Sequence, residues 1–247
     1  MELLAIFGRG IQKSDDVSLW GVTEDFEVLA DDGAHHVIRK PVDDSNPNCV
    51  IGGGELNLLA GVELKKRYSP PYIVCAYAHR ALYLKKADSP SESQVMSREF
   101  LRKCKERGLP KPNLVVWPTK DDRDGVSNLR TEVINILEFA LQHSCSVIGM
   151  VSVFVKLPRI AVFVDEELQK LDAKKKLVVR LFASELVLLE ADSRAYAERV
   201  LNVLSSDAFR RNVAREKKGT SDLLAGGNWG YEAWRPFYAL ANAGPKK

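Results

Sequence analysis

The stretch CVIGGGELNLLAGVEL, residues 49–64, decides the fold. A short apolar run, Cys49 to Ile51, meets Gly52, Gly53 and Gly54, after which Leu56, Leu59, Ala60 and Leu64 recur at helical spacing. That is a strand, a tight loop and a helix in succession. The same change of period repeats downstream. Residues 72–77 read as a strand, and a helix from Ser89 carries Met96, Phe100 and Cys104 on one face until Gly108 and Pro110 end it. Val115 and Val116 mark another strand. Leu129, Val133, Ile136, Leu137 and Ala140 stripe the next helix, and residues 147–153 form the unbroken apolar run of a strand buried on both faces. Three crossovers in a row predict a parallel sheet.

Outward from this core the pattern is less regular. Residues 2–7 read as a strand ending at Gly8, and residues 20–31 as a short antiparallel pair, so residues 1–45 form a small N-terminal β extension. After Pro158, Ile160, Phe163, Val164 and Leu168 suit a helix, while Ile160, Val162 and Val164 suit a strand; the helix is the reading adopted. Residues 177–181 and 185–189 read as strands, and Tyr196, Val200, Val203 and Leu204 stripe a further helix. A chain of 247 residues that is 45% apolar buries one sizeable core. The expectation is a single α/β domain over residues 1–247, doubly wound and Rossmann-like. Its sheet is mostly parallel with helices on both faces, its core spans residues 46–218, and a glycine- and aromatic-rich tail follows from 219.

Composition removes several classes. Lys and Arg number 36 against 33 Asp and Glu, a formal charge of +3, which is too balanced for a dedicated nucleic-acid or membrane-surface protein. Arg210, Arg211, Arg215, Lys217 and Lys218 cluster at a helix C-terminus, where the dipole favours cations without any partner. No run approaches the roughly 18 apolar residues of a spanning helix, and no basic lead precedes an apolar stretch at the start. Cys49, Cys75, Cys104 and Cys145 lie far apart in apolar contexts, which predicts reduced thiols and a cytoplasmic location. Walker, G-x-S-x-G, H-E-x-x-H and zinc-ligand spacings are all missing from the sequence, which disfavours P-loop NTPases, standard α/β-hydrolases and zinc enzymes. Asp121, Asp122 and Asp124 lack the calcium-loop spacing and read as a charged turn, so no metal is expected.

Candidate site residues follow from loops at strand ends. Backbone N–H groups of Gly52 to Gly54, backed by the positive end of a helix dipole, suit a phosphate or carboxylate; the plain alternative is a tight turn. A dinucleotide fingerprint is only half present. Asn57 stands at the last glycine position and no acid ends the next strand, which disfavours nicotinamide. Glu55 and Asn57 could orient a ligand, though an acid in a first turn also complements the dipole. Arg80, after the second strand, suits an anion clamp, and the neighbouring His79 is a proton carrier or a solvated side chain. Ser89-Pro90-Ser91-Glu92 satisfies a capping box with Ser89 as N-cap and Glu92 reaching back. Thr131 is a cap or a hydroxyl on a ligand. Lys156 and Arg159 place two positive charges at the end of a buried strand, where the dipole of the following helix mildly opposes them unless an anion is bound.

Taken in order, GGG at 52–54, SPSESQVM at 89–96, RTEVIN at 130–135 and VSVFVKLPR at 151–159 resemble the YdcF/SanA/ElyC-like domain family over residues 49–171. The resemblance implies a Rossmann-like fold and adds Ser91 and Glu92 to the site, with Lys156 where the family carries histidine. The functional expectation is a hydrolase or transferase acting on a small anionic, nucleotide-like or phosphorylated ligand. Glu92 would be its general base, with Arg80, Lys156 and Arg159 neutralising developing charge. The alternative is a non-catalytic metabolite sensor, because an ammonium group in place of imidazole binds anions well and exchanges protons poorly near neutrality. No motif identifies a cofactor. Trp229, Tyr231, Trp234, Phe237 and Tyr238, behind Gly226 and Gly227, are expected to dock as a lid, against a second subunit in a homodimer, or on their own domain.

Overall fold

A computed structural model describes residues 1–14, 19–31, 33, 35–118, 127–171 and 177–223. The chain opens with β1 (Leu3–Ile6), β2 (Ile11–Lys13), β3 (Trp20–Val22), β4 (Phe26–Val28), β5 (Cys49–Ile51), α1 (Gly54–Tyr68) and β6 (Tyr72–Cys75). It continues through α2 (Leu82–Lys86), α3 (Glu92–Glu106), β7 (Leu114–Val115), α4 (Leu129–Gln142) and β8 (Val147–Ser152). A 3₁₀ turn, Phe154–Lys156, leads into α5 (Leu157–Gln169), β9 (Val178–Ala183), α6 (Ser184–Ser205) and α7 (Asp207–Leu223).

Five of these strands form one sheet in the order β7-β6-β1-β8-β9, every pairing parallel. This is the doubly wound, Rossmann-like α/β arrangement. Alternation along β1 sorts its side chains between two cores. Leu4 and Ile6 pack with Leu56 of α1, Phe100 of α3 and Leu188 of α6, while Leu3, Ala5 and Phe7 pack with Ile136 of α4 and Phe163 of α5. Gly61 lets α1 lie close on the sheet, since a Cβ there would run into Ile6.

Three expectations change. The core does not begin at residue 46: β1 is the central strand of the sheet, and β2 to β5 form an insertion between it and α1. Cys49–Ile51 pairs antiparallel with β4, and β3 pairs with β2, so the two short strands within residues 20–31 do not pair with each other. Residues 185–189 belong to α6 rather than to a strand. α6 is kinked at Asp192 (φ −159°, ψ 91°), whose carboxylate accepts N–H bonds from Arg194 at 3.0 Å and Ala195 at 3.1 Å and so caps the second half from inside. That internal cap is why the helical stripe is recognisable only from Tyr196 onward.

All four cysteines are free and buried. Among the described residues, no helix is long and apolar enough to cross a membrane. Asp121, Asp122 and Asp124 and the aromatic tail from Gly226 to Tyr238 lie outside the described residues.

Candidate functional site

The chain leaves β1 toward β6 on one side and later returns to β8 on the other, which opens a crevice outside the C-terminal ends of β1 and β8. A cavity of about 540 Å³ lies there. Gly8, Arg9 and Gly10, which follow β1, line it together with Glu92, Glu132, Lys156 and Arg159.

Two carboxyls, Glu92 half-buried and Glu132 buried, bracket the β1 loop. Glu92, at the first position of α3, accepts the N–H of Gly10, and Glu132, in the first turn of α4, accepts that of Gly8 at 3.1 Å. Gly8 has to be glycine, because a Cβ would collide with the Glu92 carboxylate. Burial raises the Glu92 pKa against the pull of the Gly10 and Arg9 N–H groups. The Glu132 pKa is pushed well above the carboxylate range, by burial first and by the Glu92 charge second. Two interacting carboxyls of this kind do not both ionise readily.

Cations stand opposite. Lys156, half-buried in the 3₁₀ turn, is pushed down to about 8 by desolvation and by Arg9, partly offset by Glu216. Glu216 of α7, itself buried, receives the Lys156 ammonium and, at 3.0 Å, the Arg159 guanidinium. Arg9 is fixed by donating to the carbonyls of Gly52 at 2.7 Å and Ile51 at 2.5 Å. Three cations thus line this side of the cavity, two of them paired with the buried Glu216, opposite Glu92 and Glu132.

Of the residues singled out in the sequence, Glu92, Lys156 and Arg159 meet in the cavity. The others are placed elsewhere. The N–H groups of Gly52, Gly53 and Gly54 donate to Asp25 O (2.9 Å), Glu24 O (2.5 Å) and Thr23 Oγ1 (3.0 Å), so they are not open to an anion. The glycines are needed for packing instead, since a Cβ would meet Glu24, Val153 or Thr23, and Gly53 has a φ of 78°. Glu55 pairs with Lys103 at 2.7 Å and Arg199 at 3.5 Å; burial would raise its pKa, but these cations outweigh it and hold it low. Asn57 is fully buried, donating to Phe7 O (2.9 Å) and accepting from Ser184 Oγ (2.7 Å), a brace between β1, α1 and α6. Arg80 donates to Ser89 O at 2.5 Å. The N-cap of α3 is Ser91, paired with Gln94, rather than Ser89 paired with Glu92, and this releases Glu92 toward Gly10. Thr131 completes a capping box with Asn128. His79 packs edge-on to Trp117 at 4.9 Å.

Sequence reasoning missed Arg9, Glu132 and Glu216. A signal existed for the first two: the strand at residues 2–7 runs straight into Gly8-Arg9-Gly10, and Glu132 lies inside RTEVIN. Glu216 comes from a helix 60 residues beyond Lys156, with no local mark. Among the described residues, no group of three or more His, Cys, Asp or Glu side chains is placed to hold a metal ion. The chain matches no family model, no curated protein and no solved structure.

Proposed function

We propose that the chain is a hydrolase or transferase acting on a small phosphorylated ligand bound at the switch-point cavity. The observation that carries this reading is the pair of carboxyls, half-buried Glu92 and buried Glu132, lining the same cavity as Arg9, Lys156 and Arg159. Two carboxyls whose environment holds one protonated and lets the other ionise divide the roles of acid and base between them. The cations then hold the anionic group and stabilise charge that develops on it. Glu92 is also one of the two residues, with Ser91, that the likeness to the YdcF/SanA/ElyC-like family adds to the site. The test is turnover of a panel of nucleotides and sugar phosphates, read by mass spectrometry. Glu92→Gln and Glu132→Gln should each lower turnover by roughly 10²–10⁴-fold while binding persists. Wild-type rates in both variants would refute the acid–base assignment.

A second reading, a metabolite sensor, is favoured by one feature: Lys156 stands on the cationic wall and is tied to Glu216, an arrangement suited to holding an anion. A ligand that raises stability by about 2.7 kcal/mol at 100 times its Kd, yet is recovered chemically unchanged, supports the sensor.

A further inference from the structure

We propose, resting on the phosphorylated-ligand reading above, that the cavity takes a nucleoside monophosphate laid across the strand ends. Its base would stack on the open face of His35, which Tyr83 backs, its sugar hydroxyls would sit on Glu92 and Glu132, and its phosphate on Lys156 and Arg159.

The sheet supplies the ruler. Tyr83 belongs to α2, which follows β6, whereas Lys156 and Arg159 follow β8, and β6 and β8 flank β1 on opposite sides. Adjacent strands lie about 4.8 Å apart, so β6 and β8 stand roughly 10 Å apart, on the order of the span from the base to the phosphate of one nucleotide. The carboxyls come between them, because they bracket the loop at the end of β1.

Each wall has the chemistry for its share. The rings of His35 and Tyr83 stack with centroids 5.5 Å apart and planes 25° from parallel, and both line the cavity. Glu27, its side chain 1% exposed, holds His35 Nδ1 at 3.1 Å and sets the ring plane, while His35 itself keeps 39% of its side chain accessible. A base stacks on such a platform whatever its identity. Carboxyl oxygens accept from sugar hydroxyls, as an acid does for ribose in nucleotide-binding α/β folds. On the far wall Glu216 orients the cation pair from α7 without lining the cavity. A dinucleotide does not fit this scheme: the N–H groups at the start of α1, where a pyrophosphate would rest, are taken by Thr23, Glu24 and Asp25.

Titration calorimetry on the full chain tests this with inorganic phosphate, ribose 5-phosphate, adenosine, and the 5′-monophosphates of adenosine, guanosine and uridine. The tightest nucleotide should bind at least tenfold better than ribose 5-phosphate. His35→Ala should erase that advantage while leaving ribose 5-phosphate and phosphate unchanged; Tyr83→Leu, which keeps the apolar packing, reads the same effect should His35→Ala not fold. Lys156→Met should weaken every phosphorylated probe and spare adenosine. Equal affinities for ribose 5-phosphate and all three nucleotides, or a uniform loss in both aromatic variants, would overturn the nucleotide assignment and leave the phosphate site standing. If no phosphorylated probe binds the wild-type chain, both readings fall together.

Discussion

Glu185 shows how much one buried carboxyl can shape stability. It opens α6, is wholly buried, and accepts the Phe154 N–H with Oε2 at 2.9 Å and Oε1 at 3.2 Å. Burial pushes its pKa up from 4.5 to about 7. Below pH 4.5 both folded and unfolded chains hold the proton, so nothing is lost. Between pH 4.5 and 7 the unfolded chain releases it while the folded chain keeps it, and stability falls as pH rises. Above pH 7 the full cost is present, on the order of 3 kcal/mol at 1.36 kcal/mol per pH unit. Glu185→Gln should therefore gain stability relative to wild type on going from pH 5 to pH 8, as read by urea unfolding; a pH-independent difference would refute this. Lys156 and Arg159 were legible as cavity-lining residues because a strand hands over to a helix there, and loops at strand ends are where an α/β sheet places ligands, whereas Glu92 was pointed to only by the family likeness. Arg80 and Thr131 met the same rule and failed it. Their polar atoms serve the local chain, and capping geometry is indistinguishable from ligand geometry until the backbone is seen.

At the level of elements, the core from β6 to β8 was legible, α2 apart, because its period switches between strand and helix, whereas α5 fitted either period. β5 was assigned to the wrong sheet for a simple reason. Three apolar residues before a glycine turn look alike whether their partner is the central strand or a local antiparallel one, and register is a tertiary property. Two substitutions probe how these elements are held. Gly53→Ala combines a φ of 78° with a collision against Val153, so it should cost roughly 2 kcal/mol or more. Gly108→Ala, at φ 64° with open space around it, should cost only about 1 kcal/mol. Equal losses in guanidinium melts would mean that the Val153 contact is without consequence. Asp192→Ala removes the internal cap of α6 and should cost about 1 kcal/mol, with amide exchange rising first around residues 193–196.

Across the whole molecule, the insertion of β2 to β5 is fastened to the helical layer by arginines. Arg199 of α6 grips Asp25 with two bonds of 2.7 Å, Arg211 of α7 donates to Asp44 O at 2.8 Å, and Arg98 of α3 reaches Trp20 O. Because Arg9 takes its orientation from Ile51 O and Gly52 O, the seating of the insertion also sets one cation of the cavity. Arg199→Met should lower the opening free energy of residues 20–28 by about 1–2 kcal/mol, a charge-assisted pair discounted for partial exposure, while the global unfolding midpoint moves less. Uniform exchange across the domain would show that the insertion does not open by itself.

The position of β1 also bears on how the chain is made. Its strand is synthesised before the other four of the sheet, yet one of its two neighbours is β8, and the Glu2 carboxylate that accepts from Ser146 does so across 144 residues. At roughly 5–20 residues per second, a ribosome needs about 7–30 seconds to cover that interval. For the first half of it Leu3, Leu4, Ala5 and Ile6, all destined for burial, have neither neighbour, and after residue 75 they have β6 alone. A nascent chain arrested before residue 147 thus carries an apolar strand with at least one bare edge, the species on which holding chaperones and aggregation compete.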